Sequence, residues 1–179
     1  MMRSLAIALI STAALSLAGC TQTNGKDTAY ETPFISTNYA AADALLAQLR
    51  HRLPSGNLLV ATLVNIDALE RSSTLGRLVS EQVSARLTRA GYQVVEMKFR
   101  NSVYMLQDQG ELMLTREIHE LARTYAAQAV IVGTYGAGKD YVYVNLKVIQ
   151  PGTNVTMAVH DYALPIDENI YALLRNKRY

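Results

Sequence analysis

Leu58-Leu59-Val60-Ala61-Thr62-Leu63-Val64-Asn65-Ile66 is nearly all apolar and rich in β-branched residues. A strand with one wet face alternates apolar and polar residues. A run without alternation reads as a strand buried on both faces, as in a parallel sheet covered by helices. Residues 65–73 follow as a polar loop at the strand's carboxyl end. Leu75, Leu78, Val79, Val83, Leu87 and Ala90 then recur at spacings of three and four, which predicts a helix over residues 75–90. Ser72 or Ser73 offers its cap, and Gly91 can end it in the left-handed conformation. Residues 92–97 read as a second strand. Strand, helix and strand together form a βαβ unit, expected to cross over right-handed.

Upstream, Tyr39, Ala42, Leu45, Leu46, Leu49 and Leu53 share one face of a helix predicted over residues 38–53. Ser36, Thr37 or Asn38 can cap it and Pro54 stops it. Downstream, residues 102–106 read as a short extra strand and residues 107–110 as a turn. Residues 115–125 form a third helix with Ile118, Leu121, Ala122 and Tyr125 inward. Residues 129–135 (AVIVGTY) form a third buried strand and a second crossover.

The pattern then changes. Residues 136–140 are a tight turn, and residues 141–149 alternate strictly. Val142, Val144, Leu146 and Val148 point one way, and Tyr141, Tyr143, Asn145 and Lys147 the other. That is an antiparallel strand with one wet face. A Pro-Gly turn leads into a fifth strand over residues 155–164, and Asp167 caps a last helix over residues 168–176. The expected class is α/β: a mixed five-stranded sheet, three parallel βαβ-linked strands followed by an antiparallel meander, with helices packed on it.

The N-terminus carries an address. Arg3, an apolar run over residues 5–17, and Leu17-Ala18-Gly19 before the only cysteine, Cys20, make the zones of an export signal. The run is shorter than the roughly 20 apolar residues of a membrane span. Leu17, Ala18, Gly19 and Cys20 look like a lipobox, which implies cleavage before Cys20 and its lipidation. Acyl chains contribute about 0.8 kcal/mol per buried methylene, and two or more give a stable anchor. Thr21 in place of an aspartate favours the outer membrane. The expected organisation is a signal peptide at 1–19, a lipidated cysteine and flexible tether at 20–36, and one α/β domain at 37–179. The tether's extended reach is about 50 Å, at roughly 3.3 Å per residue.

The chain has 179 residues and a net charge of +2, a small excess of bases rather than a nucleic-acid-binding stripe. Eleven tyrosines stand against two phenylalanines and no tryptophan. Tyrosine suits half-exposed strands and partner surfaces, so Tyr135, Tyr141, Tyr143 and Tyr162 are read as a candidate partner surface.

Catalytic motifs fail on inspection. Residues 133–140 match GxxxxGK, but Asp140 replaces the Ser or Thr that holds the metal, and a strand follows where a helix is needed. His51, His119 and His160 lack metal-ligand spacing. Ser72-Ser73 lacks the glycines of a nucleophile elbow, and helix capping accounts for it. No metal, cofactor or enzyme activity is expected; a hydrolase built on Ser73, His119 and Asp67 is the least favoured reading. Asp67, Glu70, Arg71, Ser72 and Ser73 form the candidate ligand loop, because open α/β sheets bind ligands at the carboxyl ends of their strands.

Residues 39–46 (YAAADALL), 69–82 (LERSSTLGRLVSEQ), 110–111 and 114–117 (GE, LTRE) and 129–135 (AVIVGTY) resemble the FlgO domain of bacterial outer-membrane lipoproteins. The resemblance spans residues 38–164. It implies a lipid-anchored, periplasm-facing structural component of the cell envelope, associated with the flagellum and motility, without catalytic residues. Expected partners are the membrane through Cys20, flagellar or other envelope proteins, and a second copy of the chain. The alternative is a periplasm-facing binding module for a small ligand or peptidoglycan fragment.

Overall fold

The computed structural model describes residues 32–53, 56–97 and 116–175. The elements run α1 (Pro33–Leu49), β1 (Asn57–Ala61), β2 (Val64–Asn65), α2 (Thr74–Arg89), β3 (Gln93–Met97), α3 (Arg116–Thr124), β4 (Ala127–Ala137), β5 (Tyr141–Ile149), β6 (Thr156–Pro165) and α4 (Glu168–Leu174). They build a mixed sheet of order β3-β1-β4-β5-β6, with β2 paired to β4 outside that path. β1 runs parallel to both β3 and β4, while β4, β5 and β6 are successively antiparallel. The sheet thus has six strands among the described residues, one more than expected. The short strand and turn read at residues 102–110 lie outside the described residues.

The extra strand arises because the opening run is broken. β1 ends at Ala61 and β2 begins at Val64. A strand running straight through would put Leu63 on the same side as Leu59 and Ala61. Instead Leu63 joins the core on the opposite side, while Val64 stays with Leu59 and Ala61. The break shifts the side-chain alternation by one residue, as a bulge does. It is held by side chains: the Leu63 N–H donates to Ser80 Oγ at 2.8 Å, and its carbonyl accepts from Ser72 Oγ at 2.6 Å. Gly133 makes room for it. A Cβ there would lie 2.7 Å from the Asn145 carbonyl oxygen and 2.8 Å from Leu63 Cγ.

One face of the sheet carries the larger core. Leu58, Val60, Ile131, Val142, Val144, Leu146 and Val148 meet Ala42, Leu45 and Leu49 of α1 and Leu75, Val79, Val83 and Leu87 of α2, all nearly or fully buried. α4 adds Ile170 to that side. On the other face, α3 sets Ile118 and Ala122 against Leu59, Ala61, Val130 and Val132. Beyond Ile149 of β5, which joins this cluster, no described element covers that face over β5 and β6.

Helix ends follow local chemistry. α1 starts at Pro33 rather than residue 38, so residues 33–36, read as tether, are helical. Thr32 caps it and Pro33 occupies the first turn, where a missing N–H costs nothing. α2 is capped by Ser73 and followed by Gly91 at φ +95°. α4 is capped by Asp167, whose Oδ1 accepts from the Ile170 N–H at 2.7 Å. Two residues read as inward are not: Ala90 is exposed, and Tyr125, just past α3, is 44% exposed.

Candidate functional site

The loop after β2 is tied to itself and to β4. The Ile66 N–H donates to the Tyr135 carbonyl at 2.9 Å, the Asp67 N–H to Asn65 Oδ1 at 2.9 Å, and the Asn65 N–H to the Arg71 carbonyl at 2.8 Å. Glu70 and Arg71 pair at 3.5 Å with both side chains mostly in water, which contributes little. Ser72 uses its hydroxyl on Leu63. Ser73 is buried; its N–H donates to the Tyr135 hydroxyl at 2.7 Å and its Oγ caps α2. Of the five residues read as a ligand loop, Asp67 lines the groove on the open sheet face and the other four do not. Both serines serve the fold. His119 sits on α3, behind the sheet from α2, where Nδ1 accepts from the Gly152 N–H at 3.3 Å. It is not brought to Ser73. Among the described residues no group of His, Cys, Asp and Glu is placed to hold a metal ion.

The four tyrosines do not form one surface. In an antiparallel pair, directly opposed residues share a face. Tyr135 lies opposite Val144, which lies opposite Tyr162, so both tyrosines sit on the helix-covered side. Tyr135 is 3% exposed. The Tyr162 hydroxyl donates to Asn38 Oδ1, and Asn38, fully buried, donates through Nδ2 to Gln82 Oε1 at 2.6 Å. Burial pushes the Tyr162 phenol well above its ordinary range. Tyr141 and Tyr143 project from the other face and are 47% and 60% exposed. The sequence pattern placed each tyrosine in its strand; only the register between strands separated them into two pairs.

On that open face lies a groove of about 750 Å³. Its floor is small, with Thr134, Gly136, Gly138 and Ala163, and Ile66 and Tyr143 flank it. Asp67 and Asp161 also line it, Asp161 accepting a hydrogen bond from Asn145 Nδ2. No Lys, Arg or His lines it. Residues 133–140, the GxxxxGK match, form the end of β4 and the hairpin turn, where the Gly138 N–H donates to the Tyr141 carbonyl at 2.8 Å. Ile66, Asn145 and Asp161 were missed in the sequence. Asn145 and Asp161 each stand at a polar position of an alternating strand, and only their pairing across β5 and β6 marks them.

The FlgO protein family model matches residues 39–169. The chain belongs to the FlgO protein family. No curated protein sequence matches this FlgO chain. Among solved structures, the C-terminal domain of LpoB from Escherichia coli superposes with a TM-score of 0.51 at 12% identity, over 74% of this chain and 98% of that one. Lipoprotein GNA1162 from Neisseria meningitidis aligns at a TM-score of 0.40 and 14% identity, over 65% and 84%. The PelC dodecamer from Paraburkholderia phytofirmans aligns at 0.41 and 14%, over 62% and 72%. At 12% identity the likeness of the FlgO chain to LpoB is one of fold.

Proposed function

We propose that this chain is a lipid-anchored lipoprotein of the outer membrane that faces the periplasm and works by binding other envelope proteins, without catalysis. Within the FlgO family its assembly is the flagellum, and its contribution is to motility. The observation that carries the reading is the family match over residues 39–169 downstream of Leu17-Ala18-Gly19-Cys20. Cys20 is the lipid attachment point, and residues 21–31 lead from it to the first cap. The use of Ser72 and Ser73 in the fold supports a binding role over a hydrolytic one.

Two measurements test this. Cells are labelled with radioactive palmitate; the wild-type chain incorporates label and fractionates with the outer membrane, whereas Cys20→Ala does neither. Label-free wild-type protein refutes the anchor. The amount of chain in purified flagellar basal bodies is then compared with total outer membrane. Enrichment supports the flagellar assignment, and a ratio no higher than in total membrane refutes it.

The groove on the open sheet face favours a second reading, a binding module for a small ligand or peptidoglycan fragment. In that case the melting temperature rises with purified muropeptides, because a ligand that binds only the folded state stabilises it.

A further inference from the structure

The free edge of the sheet lies beside the groove. β6 is an outer strand, and Val159 shows which way its main chain points: its carbonyl accepts from Gln48 Nε2 at 2.8 Å and its N–H donates to Gln48 Oε1 at 3.3 Å. Both groups therefore face away from β5. Main-chain direction alternates along a strand, so the N–H and C=O of Asp161 and Ala163 also face outward. The protein blocks the rest of this edge. Gln48 occupies Val159, Arg52 Nη1 donates to the Met157 carbonyl at 3.1 Å, and Pro165 has no N–H to offer. At Asp161 and Ala163, both exposed, the outward groups have no partner among the described residues.

We propose that residues 161–163 and the adjoining groove receive an extended, Lys- or Arg-bearing segment of a partner protein, added as a short strand to β6. Four main-chain groups in a row match another main chain and give strand addition its affinity. The chemistry of the segment follows from charge. Asp67 and Asp161 line the groove with no base among its walls, and Lys147, the next base along this face of β5, stands one pair beyond Asn145. Tyr143 and Ile66, 60% and 58% exposed, give the segment's aliphatic stems and apolar side chains something to cover. The same carboxylates disfavour an acidic muropeptide and disfavour a second copy docked groove to groove. The inference rests on the reading that the chain works through a protein partner.

The test places the photo-crosslinker p-benzoylphenylalanine at position 143 of the full-length chain in cells, with position 77 on the exposed side of α2 as control. The expected result is a protein adduct at 143, absent at 77, that peptide mapping assigns to a segment containing Lys or Arg. Asp67→Lys with Asp161→Lys lowers its yield by about tenfold or more, since like charges repel at a docking surface. Ala163→Pro does the same. Proline at an outward-facing edge position leaves the ladder to β5 intact, so this variant should melt as the parent does. The inference is overturned by any of three results: no adduct at 143, an adduct mapped to an acidic segment or a glycan, or a yield unchanged by Ala163→Pro and by the charge reversal. Outer-membrane fractionation of the same cells separates the readings. Absence of the adduct at 143 from a chain that keeps Asp67, Asp161 and Ala163 and lies in the outer membrane refutes the docking site alone, and a wild-type chain found outside that membrane refutes the function.

Discussion

Ser80→Ala and Ser84→Ala are the same substitution one helical turn apart, and the structure assigns them opposite outcomes. Ser80 Oγ accepts from the Leu63 N–H at 2.8 Å and donates to the Gly76 carbonyl at 2.9 Å, and it is 7% exposed. Alanine leaves the amide of a fully buried leucine without an acceptor at the break between β1 and β2. An orphaned buried donor costs about 1–3 kcal/mol. In a domain of this size each kcal/mol lowers the melting temperature by about 2–4 °C, so the loss falls between about 2 and 12 °C. Ser84 Oγ is also buried but has no hydrogen-bond partner among the described residues. Its removal takes away a polar atom that gains nothing from burial, so Ser84→Ala is neutral or stabilising. Thermal and urea unfolding of the isolated domain (residues 32–179) measure both. Equal melting temperatures for the two variants would refute the claim that Ser80 holds the strand break. A larger loss from Ser84→Ala would refute the whole account of how α2 supports it.

Gly133→Ala should destabilise by about 1–3 kcal/mol, because its Cβ meets main chain at 2.7 Å and a fully buried leucine behind it; denaturant midpoints check this. Asn38→Ala should cost about 1–3 kcal/mol, since it leaves the half-buried Tyr162 hydroxyl and the Gln82 amide side chain without their buried partner. Tyr162 also gives an alkaline signature. Its folded phenol ionises above the unfolded value of about 10, so above that pH the folded state holds the extra proton. Stability is unaffected below this range and falls as pH rises through it, at most by about 1.4 kcal/mol per pH unit. Urea titrations between pH 8 and 11 should show that slope shallower in Tyr162→Phe, and identical slopes would contradict the assignment.

The elements were legible in the sequence wherever one physical signal dominated. The alternation of Val142, Val144, Leu146 and Val148 predicts β5 to the residue, because a two-residue period leaves no other conformation that buries all four. Ser73, Gly91 and Asp167 mark helix ends through hydrogen bonds and φ values that are local to the chain. Pro33 was misread because a proline that opens a helix and one that ends a linker look alike without the fold. FlgO membership was readable from contiguous segments, and so was the expectation of an anchor at Cys20.

What tertiary structure alone decided is relative position. The break at residues 62–63 depends on Ser80 and Ser72 reaching Leu63 and on the space left at Gly133. The division of the tyrosines depends on the pairing register of β4, β5 and β6. The groove exists because α3 leaves one sheet face open at Tyr143 and Asp161, beside Ile66 and Asp67 of the loop after β2. Periodicity and capping are local energies, summed over neighbours in the chain. Register, strand breaks and uncovered faces come from contacts between residues tens of positions apart, and a single sequence carries no direct record of them.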